Sequence, residues 1–460
     1  MAKRGITEQQ RTWLVSELNE WESHGFVSSG QAAPILDLYE THAESVERKR
    51  STALLLLMGI AAFLVGLGVL LLVGYNWGAM PDVLKLLILF GVTFGTQGLG
   101  FFLRFKRQAM LWSEVAFFLG CLFYGASIFL VAQIFHFNAH YPDGVWWWSL
   151  GVLPFALCLN TILLHALLVS LLAIWCGMEI IGFAGSGMWL FGRWSFIPNG
   201  AYTLAPLALP GLLWAYRKGS TVTVALYVSL LAWWTILQPL AWGMEEEIVY
   251  FIGAVGGLML MIAESHSKGG KFAIPYRLFG GLLVATALLV MSFYDFNEDV
   301  MQSTFKATSF NQPVAIVIFS AAVIYVSAVL NQQRSPKRVS LLSQINEVIR
   351  QQWLPLALVL LMALLQLWQL SIGDPRLPTI LVNIAMLFLA VWLIGVGLRE
   401  DRGRPFVAGV LYFLLWAIVR YVDLFGDVGG MLGAALMFFL CGGTLFGVAL
   451  FWRKRRTTET

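Results

Sequence analysis

Residues 53–74 read ALLLLMGIAAFLVGLGVLLLVG, a run of 22 residues with no charge and no proline, directly behind Arg48-Lys49-Arg50-Ser51-Thr52. As a helix it is long enough to cross a hydrocarbon core about 30 Å thick. Lipid offers no water to satisfy backbone N–H and C=O groups, so the run must close its hydrogen bonds on itself. Thirteen more apolar stretches follow. The expected spans are 53–74, 82–103, 111–136, 145–164, 165–183, 201–216, 221–239, 248–263, 277–294, 313–330, 353–371, 378–398, 405–422 and 430–452. Only Asn160-Thr161 and His165 divide the fourth span from the fifth.

Composition agrees with this reading. Of 460 residues, 58% are hydrophobic, 14% aromatic and 12% charged, with a mean hydropathy of +0.74. A soluble domain carries about 25% charged residues. Half that figure, with a surplus of Trp and Phe, excludes a disordered chain, a coiled coil and a nucleic-acid module. The expected fold class is all-α, a polytopic transmembrane helical bundle of about 14 spans with a small N-terminal helical hairpin.

The charges sort by side. With the N-terminus in the cytoplasm, 25 of the 30 Lys and Arg fall on inner segments, in clusters such as Arg104-Lys106-Arg107, Arg217-Lys218, Arg334-Lys337-Arg338 and Arg453-Lys454-Arg455-Arg456. The outer side keeps Lys85, Arg193, Lys306, Arg376 and Arg420. That asymmetry follows the positive-inside rule, and one missed helix would invert every later loop. Both termini are therefore expected in the cytoplasm. The overall charge of +4 separates into +12 inside and −6 outside, with −2 from Glu114 and Glu179 within helices. The inner positives flank membrane helices and suit anionic lipid rather than nucleic acid.

Residues 1–50 differ from the rest, with six basic and eight acidic residues and no apolar run. No cleaved signal peptide is expected ahead of Ala53. Thr7 and Gln10 have capping-box spacing; Trp13, Leu14, Leu18 and Trp21 then share a helical face up to Gly25, and Ile35, Leu38, Tyr39, His42 and Val46 mark a second helix. The domain reading is a two-helix cytoplasmic module at 1–50, able to dock a protein partner, a transmembrane domain at 51–452 and a basic tail at 453–460.

In lipid the polar residues are the informative ones, since an ionisable side chain at depth costs ~2.5–3.5 kcal/mol unless partnered. Gln133 and His136, three apart at the end of the third span, fit the lining of an outward-facing polar cavity. His136 and His140 have the spacing of a metal pair, but no third ligand is evident, and neither metal nor cofactor is expected. Glu179, in Trp175-Cys176-Gly177-Met178-Glu179, is the acid placed to sit at depth. Arg420 and Asp423, at i and i+3, read as a structural clamp or as an anion or headgroup site built on the arginine. Gln97, Gln366, Gln369 and Asn383 add buried amides, and Pro154, Pro206 and Pro210 add candidate kinks. Cys121, Cys158, Cys176 and Cys441 lie in apolar spans without a CxxC pair and read as small core residues. No HExxH, GxSxG, Walker or dinucleotide motif occurs, and no soluble domain is large enough for an ATPase.

Three stretches resemble the bacterial membrane proteins grouped as "domain of unknown function 2157". They are Leu18…Trp21…Gly25-Phe26-Val27-Ser28 with Leu36…Tyr39; Gly120…Tyr124-Gly125-Ala126-Ser127-Ile128-Phe129-Leu130-Val131-Ala132-Gln133-Ile134-Phe135-His136; and Arg420-Tyr421-Val422-Asp423-Leu424-Phe425-Gly426, followed by Gly442-Gly443 and the basic tail. The resemblance implies a multi-pass inner-membrane protein with a cytoplasmic helical N-terminus. It transfers no catalytic residue and no ligand, and it draws attention to Gln133, Arg420 and Asp423. Three functions follow in order: an ion- or proton-coupled transporter or flippase using Gln133, His136 and Glu179; a sensor or assembly factor docking through 1–50; and an integral-membrane enzyme on lipid-linked substrate, using the acidic outer loops Glu245-Glu246-Glu247 and Asp295, Glu298 and Asp299.

Overall fold

A computed structural model describes residues 8–39, 41, 54, 57–61, 63–66, 68, 80–136, 141–159, 161–182, 200–243, 248–266, 270–302, 311–334, 340–371, 374–399, 403–425 and 439. Among these there is no β-strand, and nine helices are long and apolar enough to cross a membrane. Each expected span from the second to the thirteenth overlaps a helix, but those expected at 145–164, 201–216 and 313–330 are not among the nine. The first is seen only as helical turns within 57–66, and the last lies outside the described residues apart from Phe439. The chain divides into two compact units, Met1–Leu168 and Val169–Thr460.

In the first unit, α1 (Glu8–Ser23) and α2 (Ser29–Asp37) are joined by a turn in which Gly25 takes φ +75°. Ser28 N–H donates to Gln31 Oε1 at 3.2 Å across the start of α2. Arg11 Nη1 reaches the carbonyl of Tyr39 at 3.4 Å. The capping pair read at Thr7 and Gln10 lies outside the described side chains. Next come α3 (Asp82–Phe101), continued by a π-turn over Phe102–Lys106, then α4 (Met110–Ile134) and α5 (Tyr141–Leu159). Small residues and hydroxyls hold these helices together, as expected where lipid removes the hydrophobic drive for helices to associate. Ser113 Oγ donates to Gly100 O at 3.0 Å, Thr93 Oγ1 and Ser127 Oγ stand 3.1 Å apart, and Trp148 Nε1 donates to Cys121 O at 2.8 Å. The Trp148 indole lies where a Cβ on Gly125 would be, so the ring can reach Cys121 only across a glycine.

The fourth and fifth spans divide earlier than their hydropathy suggests. Helix α5 stops at Leu159, and α6 (Ile162–Gly177) starts behind Thr161, whose Oγ1 accepts the Leu164 N–H at 3.4 Å. A threonine at that position caps a helix by taking one of its unpaired donors. His165 therefore belongs inside α6 and is not part of the break.

The second unit continues from α6 through a π-turn, Met178–Gly182. It then builds α7 (Leu204–Lys218), α8 (Thr221–Ala241), α9 (Ile248–Ser265), α10 (Ala273–Met291), α11 (Tyr294–Gln302), α12 (Asn311–Arg334), α13 (Leu341–Gln351), α14 (Trp353–Ser371), α15 (Arg376–Arg399) and α16 (Gly403–Phe425). Its core gathers Tyr250, Met261, Leu288, Val359, Met386 and Phe413 from five of these helices. Gly256 and Gly280 let α9 and α10 cross nearly backbone to backbone. A Cβ on either would stand 2.7–2.8 Å from the other's carbonyl oxygen. Helices α11 and α13 were not expected as elements; both are short and too polar on one face to stand out in a hydropathy average.

Candidate functional site

One face of α16 carries Tyr412, Trp416 and Arg420 at intervals of four, so all three lie over one another on the same side. Each reaches a different part of the core. Tyr412 OH donates to Ala285 O of α10 at 3.2 Å, and Trp416 Nε1 donates to Asn383 Oδ1 of α15 at 2.9 Å. Arg420 Nη2 donates to Ser292 Oγ at 3.1 Å, just beyond α10. Its Nη1 meets Asp423 Oδ2 at 2.7 Å, and the guanidinium carbon lies 5.0 Å from the centre of the Phe293 ring. The arginine is 7% exposed, whereas the carboxylate of Asp423 keeps contact with the surface.

The shell behind Arg420 is closed by amides and hydroxyls. Asn383 Nδ2 donates to Ser292 O at 3.1 Å and to Thr379 O at 2.8 Å. Asn297 of α11 is fully buried, and its Nδ2 donates to Met291 O at 2.7 Å, Phe293 O at 2.9 Å and Thr379 Oγ1 at 2.9 Å. Gln369, at the end of α14, donates to Val300 O at 3.0 Å. The ends of three apolar helices and the short α11 thus share one polar network, with Gln369 of α14 bonded one turn further along α11, all at the end that the charge distribution assigns to the outer side. Arg420 Nε and Asn297 Oδ1 within it, and Gln369 Oε1 beside it, are buried without a hydrogen-bond partner among the described residues. Buried polar atoms are almost always satisfied, and here the open positions on Arg420 and Asn297 lie within one set of hydrogen bonds. Oppositely charged Asp423 and the Phe293 ring offset the cost of holding the guanidinium away from water.

Glu179 is fully buried, in the π-turn that extends α6 and packs against α8. The α6 helix does not stop at Gly177. Its widened last turn carries the carboxyl inside a 21-residue apolar segment, Ile162–Gly182. Earlier in α6, Trp233 Nε1 of α8 donates to Ala173 O at 3.2 Å. Single π-turns within α-helices are rare and recur at functional positions.

Gln133 and His136 sit in the first unit, both exposed. Helix α4 ends at Ile134 and His136 takes φ +52°, so the two straddle a helix end and do not share a helical face. His140 and Glu245 to Glu247 lie outside the described residues. Among the described residues no group of three His, Cys, Asp or Glu is placed to hold a metal.

The structure joins Arg420 directly to Asp423, and it adds Asn383 and Gln369, two of the amides singled out by their place in apolar spans. Ser292, Phe293, Asn297 and Thr379 escaped the sequence reading. They fall in connections or at helix ends, where a polar residue is ordinary and only tertiary approach gives it meaning.

No curated protein and no solved structure matches the chain. The family model described as "Predicted membrane protein (DUF2157)" matches residues 19–165, a stretch that takes in Gln133 and His136 and stops short of Glu179, Arg420 and Asp423. Over that stretch the resemblance read from the sequence is matched by the family model, and residues 19–165 are similar to these membrane proteins.

Proposed function

We propose that the protein is a transporter- or flippase-like membrane protein in which Arg420 engages a negatively charged substrate near the outer surface. In this reading fourteen spans cross the bacterial inner membrane, both termini are cytoplasmic, and residues 1–50 form a separate helical module. The supporting observation is the guanidinium itself, buried at 7% exposure with its Nε–H unclaimed among the described residues. An unmade bond at depth costs ~1–3 kcal/mol, so an acceptor brought to this donor is bound favourably. Phosphate and carboxylate oxygens match a guanidinium edge better than any other acceptor. Asp423 then holds the arginine in place when the substrate is absent. Glu179 supplies a buried acidic group that couples this movement to an ion gradient.

Vesicles reconstituted with the full chain test this with two probes, acyl-labelled fluorescent phosphatidylglycerol and entrapped radioactive inorganic phosphate. The expected result is protein-dependent exposure of inner-leaflet label to dithionite, or release of phosphate, with Arg420→Gln slowing it about tenfold or more, equivalent to ~1.4 kcal/mol or more. The first probe identifies a lipid headgroup as substrate and the second a free anion. Movement of neither probe, or equal movement by Arg420→Gln, refutes the proposal.

A second reading, a sensor or assembly factor, draws on α1 and the turn after it, where Trp13 is 58% and Phe26 79% exposed. Aromatic residues so exposed suit a docking face.

A further inference from the structure

Helix α13 (Leu341–Gln351) lies between two apolar helices and is separated from α14 by Gln352 alone. Its start is defined by Ser340, whose Oγ accepts the Ser343 N–H at 3.3 Å, while Gln351 Nε2 donates to Glu347 Oε1 at 2.6 Å along its polar side. Its apolar residues recur at 341, 342, 345, 348 and 349, one continuous stripe on a helix of 3.6 residues per turn. Val348, buried, and the half-buried Leu341 and Ile345 form the part of the stripe turned to the protein. Among the described residues the neighbouring part has no protein cover: Leu342 is 75% exposed, Ile349 38%, and Trp353, on the same side one turn further, 48%.

What covers this edge is indicated by its flanks. Arg350, exposed, follows the apolar edge around the helix, where a long cationic side chain can lay its stem on apolar surface and its head among phosphates. The segment 331–352 carries Arg334, Lys337, Arg338 and Arg350 against the single acid Glu347. The helix then continues within one residue into α14, an apolar segment of membrane-spanning length. We infer that α13 is an interfacial helix. Leu342, Ile349 and Trp353 insert at the boundary of headgroups and acyl chains, and Arg350 with the basic residues that precede the helix in sequence recruits anionic lipid on the cytoplasmic leaflet.

The test uses the full chain with photoreactive benzoylphenylalanine at position 342, 349, 343 or 347, reconstituted in phosphatidylcholine vesicles with or without phosphatidylglycerol. On irradiation, positions 342 and 349 each give about tenfold more lipid adduct than 343 or 347, and including phosphatidylglycerol raises the yield. Replacing Lys337, Arg338 and Arg350 by Gln removes that increase. Adducts at 342 and 349 to a second copy of the chain, or lipid yields no higher than at 343 and 347, overturn the interfacial assignment. Equal yields in the two lipid mixtures overturn the recruitment of anionic lipid.

Discussion

Arg420 has two protein acceptors, and they are unequal. The bond to Asp423 carries charge on both sides, while Ser292 offers one hydroxyl oxygen that already donates to Leu289 O at 2.6 Å. Asp423→Asn therefore weakens the pair but leaves the arginine bonded to Ser292 and stacked over Phe293. Arg420→Ala instead strands the carboxylate, the Ser292 hydroxyl and an emptied space together. Loss of one partner from a fully buried pair costs ~3–5 kcal/mol; Asp423 is partly exposed, so about 2–3 kcal/mol is expected for Arg420→Ala and about 1 kcal/mol for Asp423→Asn. Thermal unfolding in detergent of both single variants and the double variant measures this, and the double should lose less than the two singles combined. Strict additivity would mean that the two side chains do not interact. At this scale the sequence was readable where a polar atom stands against an apolar background, as with Arg420, Asn383, Gln369 and Glu179. It was silent on Ser292 and Asn297, because their partners come from residues more than 80 positions away.

Helices follow from hydropathy wherever apolar residues run unbroken, and α3, α8, α14 and α15 start and stop within about three residues of their expected bounds. Other boundaries depend on capping and packing. Thr161 starts α6 by accepting an N–H, a local effect that a hydropathy window blurs. The π-turns at Phe102–Lys106 and Met178–Gly182 leave no mark in composition at all. Packing between elements makes its own prediction. The Trp148 indole lies over Gly125 and bonds the carbonyl of Cys121, so Gly125→Leu must push the ring away and break that bond. The substitution is expected to destabilise the first unit by about 2–4 kcal/mol, read as a fall in melting temperature and in tryptophan fluorescence change on unfolding. A variant as stable as the parent would show that α4 and α5 do not pack through this contact.

For the molecule as a whole, the sorting of 25 of 30 basic residues to alternate connections sets an expected path. One feature of the second unit fits it: the ends of α10, α15 and α16 that carry Ser292, Thr379 and Arg420 form one hydrogen-bond network through Asn383 and Asn297, as helices of alternating direction require. The sequence could not reveal which polar groups share a network, since that depends on neighbours far apart in the chain. Residues 1–50 bear on which of the two functional readings holds. If the chain is a transporter, a variant without residues 1–50 retains substrate movement in vesicles; if it is a sensor or assembly factor, the same variant loses its partner in pull-downs from native membranes.

The central claim is that Arg420 serves a substrate as well as the fold. It is tested most directly by comparing Arg420→Lys, which keeps the charge but not the planar donor edge, with Asn383→Ala, which removes the bonds to Trp416 and Ser292 and lowers stability by about 1–2 kcal/mol. Both are measured for vesicle transport and for melting temperature. If Arg420 is part of a site, Arg420→Lys melts close to the parent and loses most of its transport, while Asn383→Ala melts lower and keeps most of it. Transport that instead falls in step with melting temperature across both variants would contradict the claim and leave Arg420 as a structural clamp.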